Sequence, residues 1–200
     1  MQRILIIAFA ALAVIAVASG GRYLMMAGQD VGSPTTKSRV NIGGPFTLTD
    51  HTGKRVTEKD FEGKYMLIYF GYTFCPDVCP TSLSIISDAL EQLSGEELDK
   101  LTPVFVSVDH ERDTPEVLAS YVPHFHEKLV GLTGSAEEIK SAAKTFKAFY
   151  AKVNEDDPDG NYLMDHSSTT YLMGPDGGFV AHFNHGTPPE TMAQRLAEIL

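Results

Sequence analysis

Cysteine is scarce: Cys75 and Cys79 are the only two in a chain of 200 residues. A disulfide-stapled scaffold needs more of them, spread more widely, so that class is excluded. Positive charge is also short, with a formal net charge of -10. The deficit is uneven: residues 1–40 carry Arg3, Arg22, Lys37 and Arg39 against Asp30, a net of +3, which leaves -13 on the remainder. An acidic body repels a phosphate backbone, so no nucleic-acid partner is expected. Low-complexity tracts and internal repeats are absent, and 43% of the residues are hydrophobic. That composition suits one globular domain with a short appendage.

Charge is missing altogether from Ile4 to Ser19, a run built almost entirely of Ile, Leu, Ala, Val and Phe. Arg3 precedes it and Arg22 follows it. The run is slightly short of a bilayer span unless Tyr23, Leu24 and Met25 join it. An uncleaved signal anchor over residues 1–25 is the favoured reading. A cleaved signal peptide is the alternative, because Ala16-Val17-Ala18 offers a small-x-small site. Either way Arg3 stays on the inner side and the rest is exported. A Gly-, Ser-, Thr- and Pro-rich stretch over residues 26–42 reads as a linker, and residues 43–200 as the exported domain.

Within that domain Phe46–Asp50 and Gly53–Val56 read as a hairpin. Tyr65–Phe70 and Pro103–Val108 read as central strands buried on both faces. A helix is expected from about Pro80 to Leu93, another starting at Asp113-Thr114-Pro115-Glu116, and a short strand over Leu129–Leu132. Ser135-Ala136-Glu137-Glu138 is a capping box expected to open a helix reaching about Lys152. Ser168–Met173 and Phe179–Phe183 suit a closing hairpin, followed by a helix capped by Thr187-Pro188-Pro189-Glu190. Strands alternating with helices make an α/β fold.

The two cysteines share one loop between a central strand and a helix: Gly71-Tyr72-Thr73-Phe74-Cys75-Pro76-Asp77-Val78-Cys79-Pro80. α/β proteins place ligands at such a position. Pro76 disfavours helical angles at Cys75, and Pro80 suits a first helical position, which puts Cys79 at the N-cap. Free amides and the helix dipole there would favour thiolates. Two thiolates form a soft pair that suits Cu(I), which is content with two or three ligands. A tetrahedral zinc site or a cluster usually wants four, and no further cysteine exists to supply them.

This loop, together with Asp165-His166-Ser167-Ser168, resembles the Sco/SenC family, and the resemblance runs from Gly43-Gly44-Pro45-Phe46 to the final helix. It implies a thioredoxin-like fold behind an N-terminal membrane anchor. It further implies one copper ion held by Cys75, Cys79 and His166, and the role of a copper metallochaperone for the binuclear copper site of cytochrome c oxidase subunit II. A copper-donor chaperone would be the upstream partner. The expected location is the inner membrane with the domain in the periplasm, since no Arg-rich transit peptide precedes the anchor; the mitochondrial intermembrane space is the less favoured alternative. One departure stands out: the family usually has proline after the aspartate of the block that reads here Val108-Asp109-His110-Glu111-Arg112-Asp113-Thr114-Pro115.

The chain has seven histidines, most of them expected on the surface or in packing roles. His166 gains from its place before a strand, where it could reach the cysteine loop. Asp165 is a candidate to orient its imidazole, and Asp77 to tune the sulfurs. His124 and His126, or His182 and His185, are weaker ligand candidates, and Met164 and Met173 are expected in the core. The acidic loop over residues 155–161 fails as a calcium loop: aligned on Gly160, its first position is Glu155 and its twelfth His166. Two other chemistries compete with copper transfer. Cys75 and Cys79 could cycle as a redox-active pair in a thiol–disulfide oxidoreductase, although such enzymes ordinarily carry C-x-x-C. A peroxidase would need a cationic stabiliser, and no Arg or Lys lies within the loop.

Overall fold

A computed structural model describes residues 42–153 and 162–200, all within one compact unit spanning Asn41–Leu200. A hairpin opens the chain, β1 (Thr47–Asp50) and β2 (Arg55–Thr57), turning where the Asp50 carboxylate accepts from the Thr52 and Lys54 amides. Next come β3 (Tyr65–Gly71), α1 (Val78–Leu90), the short α2 (Gly95–Asp99) and β4 (Leu101–Ser107). After them follow α3 (Pro115–Tyr121), β5 (Val130–Thr133) and α4 (Ala136–Phe146). The arm β6 (Tyr150–Val153) and β7 (Leu163–His166), the hairpin β8 (Thr170–Met173) and β9 (Phe179–Phe183), and α5 (Pro189–Ala197) complete it.

Seven strands form one sheet in the order β2-β1-β5-β4-β3-β8-β9, with β3, β4 and β5 parallel and the rest antiparallel. The apolar runs sit at its centre, as expected for strands covered on both faces. Along β3 alternate side chains take opposite sides. Tyr69 stacks on Phe105 of β4, whereas Phe70 packs on Phe146 of α4 with ring centroids 5.5 Å apart. Leu67, Ile68, Tyr69 and Phe70 are all at most 1% exposed. Each such large side chain stabilises the fold by roughly 1.5–3 kcal/mol. Helix α1 buries Cys79, Leu83, Ile86 and Leu90, one stripe at helical spacing, and packs against α5.

Four expectations need correction. Helix α1 starts at Val78 with Asp77 at the N-cap, so Cys79 is not the cap and Pro80 is third in the helix; the first turn needs no amide from it, and proline is tolerated there. Helix α4 stops at Phe146 because Lys147 turns left-handed at φ 58°, well short of Lys152. The chain then enters β6, which pairs with β7, and both strands escaped the sequence reading. Thr187 does not cap α5: Pro188 holds that position, and the Thr187 hydroxyl donates to the Asn184 carbonyl. The helix starts at Asp113-Thr114-Pro115-Glu116 and at the Ser135 capping box are as read, with Thr114 and Ser135 as the caps. Among the described residues no helix is long and apolar enough to cross a membrane. The anchor and linker readings, and the loop over residues 155–161, lie outside the described residues.

Candidate metal centre

The site grows from the end of β3. Gly71 lets the strand pass close over α1: a Cβ there would lie 2.9 Å from the Cys79 Sγ and 2.9 Å from the Phe105 ring. The loop that follows is pinned from beneath. Thr73 donates its amide and its hydroxyl to the buried Asp113 carboxylate, which also accepts from the Ser107 hydroxyl. The chain then turns, the Cys75 amide reaching the Tyr72 carbonyl, and enters α1.

The two sulfurs are unequal. Cys75 precedes the helix and is half-buried; Cys79 lies inside the first turn and is fully buried. Burial works against the Cys75 thiolate, but the amides of Asp77 and Cys79 aimed at Sγ, with the Cys79 thiol and the Tyr72 hydroxyl, outweigh it and hold the thiol below its ordinary value. Burial pushes the Cys79 thiol far up, and the neighbouring Cys75 adds to the rise against the Tyr72 amide. The expected pair of thiolates is therefore one activated sulfur and one protonated sulfur. The helix start acts on the residue outside it, and desolvation governs the residue within.

His166 arrives from the other side, at the end of β7, where it pairs with Tyr150 of β6. Met164 and His166 turn inward, Leu163 and Asp165 outward. The arm is seated by reciprocal bonds, Ser167 amide to Phe149 carbonyl and Phe149 amide to Ser167 hydroxyl, each 2.9 Å. The imidazole meets the rings of Tyr69 and Tyr72 edge-on. Burial pushes its pKa below the ordinary value. Nδ1 lies 3.2 Å from the Ser167 carbonyl, which can only accept; that contact favours the proton on Nδ1, which leaves Nε2 its lone pair. That Nε2 is 3.1 Å from the Cys79 Sγ. The backbone carbonyls of Ser167 and Phe70 thus orient the ring; the Asp165 side chain is exposed at the rim of the same cavity and makes no hydrogen bond to the imidazole among the described residues.

Cys75 Sγ, Cys79 Sγ and an imidazole nitrogen of His166 all lie within 4.8 Å of one another, the one such donor cluster among the described residues. Two sulfurs and an aromatic nitrogen are a soft set that fits Cu(I). A cation entering here would take the place of the Cys79 proton. Around the cluster lies an open cavity of about 280 Å³, lined also by Tyr72, Pro76, Asp77, Val78, Leu163 and Met164. A more enclosed cavity of about 180 Å³ sits at the other end of β3 against Met66 and Met173, remote from the donors. The four histidines weighed as weaker ligands are elsewhere engaged: His124 with the Tyr121 carbonyl, His126 with the Lys128 amide, His182 stacked on Phe179, His185 with the Ser82 hydroxyl. Asp77 is exposed and reaches Cys75 through its amide rather than its carboxylate. The sequence reading missed Tyr69, Tyr72 and Ser167 as site residues; only Tyr72 and Ser167 carried a signal, by standing inside the two quoted motifs.

A family model described as SCO1/SenC matches residues 34–200. The chain belongs to the SCO1/SenC family. An SCO2-like protein of Rickettsia felis is 45% identical over 160 residues, 80% of this chain and 78% of that protein. The solved structure of Bradyrhizobium japonicum ScoI with copper bound is 47% identical, with a TM-score of 0.73, covering 80% of this chain and 99% of that one. BsSco, described as a member of the Sco family of cytochrome c oxidase assembly proteins with a disulfide switch, is 29% identical with a TM-score of 0.62, covering 80% and 92%. As an SCO1/SenC protein the chain has the thioredoxin-like α/β fold expected of it.

Proposed function

We propose that this SCO1/SenC protein is a copper metallochaperone that carries one copper ion, as cargo, on Cys75, Cys79 and His166. The convergence of two sulfurs and one imidazole nitrogen within 4.8 Å carries the reading. Copper in the related Bradyrhizobium japonicum ScoI supports it. The half-exposed Cys75 faces the open cavity, so an acceptor's soft ligand can approach from that side while the buried Cys79 and His166 hold the ion from beneath. The acceptor is the binuclear copper site of cytochrome c oxidase subunit II, consistent with the oxidase-assembly family of BsSco. A copper-donor chaperone loads the protein. The uncharged run Ile4–Ser19 tethers it to the inner membrane, with residues 43–200 in the periplasm.

The test is metal uptake by the reduced full chain, which should bind about one Cu(I) per molecule. Cys75→Ser, Cys79→Ser and His166→Ala should each weaken binding. Full affinity in His166→Ala would remove the third ligand and with it this reading.

A thiol–disulfide role is favoured by one observation, the inequality of the two sulfurs. Cys75, activated and accessible, can attack a partner's disulfide; Cys79 then attacks the mixed disulfide, so that Cys75–Cys79 is oxidised and the partner leaves as a dithiol. Reductase activity lost in either cysteine variant but kept in His166→Ala would make this the main role.

A further inference from the structure

One guanidinium joins the two segments that meet at the site. Arg112, in the loop after β4, has its Cζ 3.7 Å from the Tyr162 ring centroid and 4.6 Å from that of Phe74. Phe74 is the residue before Cys75; Tyr162 immediately precedes β7, the strand that ends in His166. Hydrogen bonds reinforce the stacking. Nε donates to the Asp109 carboxylate, Nη1 donates to the Tyr162 carbonyl at 2.9 Å, and the Tyr162 hydroxyl donates to Asp109 at 2.7 Å. Nη2 is buried with no hydrogen-bond partner among the described residues, while the guanidinium keeps its place between the rings. Strand β6 is tied to the same loop, Lys152 lying over Tyr162 and bonding to Glu111.

Phe74 is 51% exposed, so no core holds that ring in place. Its stacking partner is Arg112, and the same cation grips Tyr162. Asp109 is buried and orients the guanidinium, just as Asp113 in the same loop holds Thr73. A planar cation with a fixed fork can span two rings and two acceptors together; lysine, with a compact ammonium, cannot.

We propose that Arg112 is a positioning residue, clasping the cysteine loop to the His166 strand and so setting the distance from the imidazole to the two sulfurs. Where it concerns copper this rests on the ligand set proposed above; the clasp itself is a property of the metal-free protein. The first measurement therefore uses no metal: nuclear Overhauser contacts between the His166 imidazole and the Tyr72 ring in the reduced full chain, where the centroids are 5.8 Å apart. Arg112→Gln should weaken these contacts while those between Phe70 and Phe146 persist, and Arg112→Lys should recover them only in part. Phe74→Leu, at an exposed position, should act in the same direction and decides the matter if Arg112→Gln does not fold.

The second measurement is Cu(I) affinity against a competing chelator. Arg112→Gln should weaken binding about 10-fold, as removal of an outer positioning group commonly does. In a His166→Ala background it should cost nothing further. Unchanged His166–Tyr72 contacts in the folded Arg112→Gln and Phe74→Leu variants would overturn the clasp, and so would an undiminished loss in the His166→Ala background. If His166→Ala alone leaves affinity intact, the ligand set fails, and the metal-free contacts still decide the clasp.

Discussion

The Cys79 sulfur and the His166 Nε2 lie 3.1 Å apart although 87 positions separate them in the chain. Burial favours the protonated Cys79 thiol, which can donate to this nitrogen along the line on which a soft cation would bridge both atoms. On the ligand set proposed above, binding would exchange that proton for the metal, and the chemistry of the two cysteines should differ accordingly.

In the metal-free, reduced protein, iodoacetamide should label Cys75 and spare Cys79. The Cys75 rate should reach half its maximum below the ordinary thiol value of about 8.5, because the Asp77 and Cys79 amides outweigh the effect of burial on its thiolate. Peptide mass spectrometry across a pH series measures both rates. Equal labelling of the two would contradict the asymmetry.

Gly71→Ala should damage stability and site together. The added methyl would meet the Cys79 Sγ and the Phe105 ring at 2.9 Å each, both buried with little room to yield. Overpacking of this kind costs about 1–3 kcal/mol. Urea unfolding reads the cost, and copper titration of the folded fraction should show weakened binding.

Thr73→Val removes the hydroxyl bond to Asp113 and keeps the amide bond. A hydrogen bond to a carboxylate contributes roughly 1.5–3 kcal/mol, so a loss toward the lower end is expected at this half-buried position. Burial already raises the Asp113 pKa against the bonds from Ser107 and Thr73. An unfolded chain ionises first as pH rises, so a raised folded value means stability present in acid and lost as pH climbs through it. Removing one opposing bond raises it further. The penalty for Thr73→Val should thus be larger at pH 7 than at pH 4, as read from urea midpoints.

His166 gives the opposite slope. Burial lowers its folded pKa, so as pH falls the unfolded chain is protonated first. Its contribution is present above the ordinary value of about 6.5 and is lost as pH drops toward the folded value. His166→Gln should flatten the fall in metal-free stability between pH 7.5 and pH 5.5. An unchanged slope in that variant would show that the imidazole is not desolvated as the structure has it.

The central strands could be read directly because β3 and β4 are covered on both faces and carry long apolar runs, Met66–Phe70 and Pro103–Val106. The caps at Thr114 and Ser135 were equally legible, since a cap bonds within three residues of itself. The end of α4 was not. Nothing local marks Lys147 as left-handed; the turn serves the pairing of Tyr150 with His166, a contact made by a strand still to come. Reading the helix through to Lys152 hid the arm on which His166 stands.

By itself the sequence determined the kind of donors available, their membership in two short motifs, and the strand-to-helix position of the cysteine pair, because residue chemistry and neighbouring backbone preferences are local properties. Tertiary structure decided the rest: which sulfur keeps its proton, that the Ser167 and Phe70 carbonyls and not Asp165 orient the imidazole, and that Arg112 lies between Phe74 and Tyr162. Desolvation and stacking depend on which atoms close over a group, and here those atoms come from segments remote along the chain.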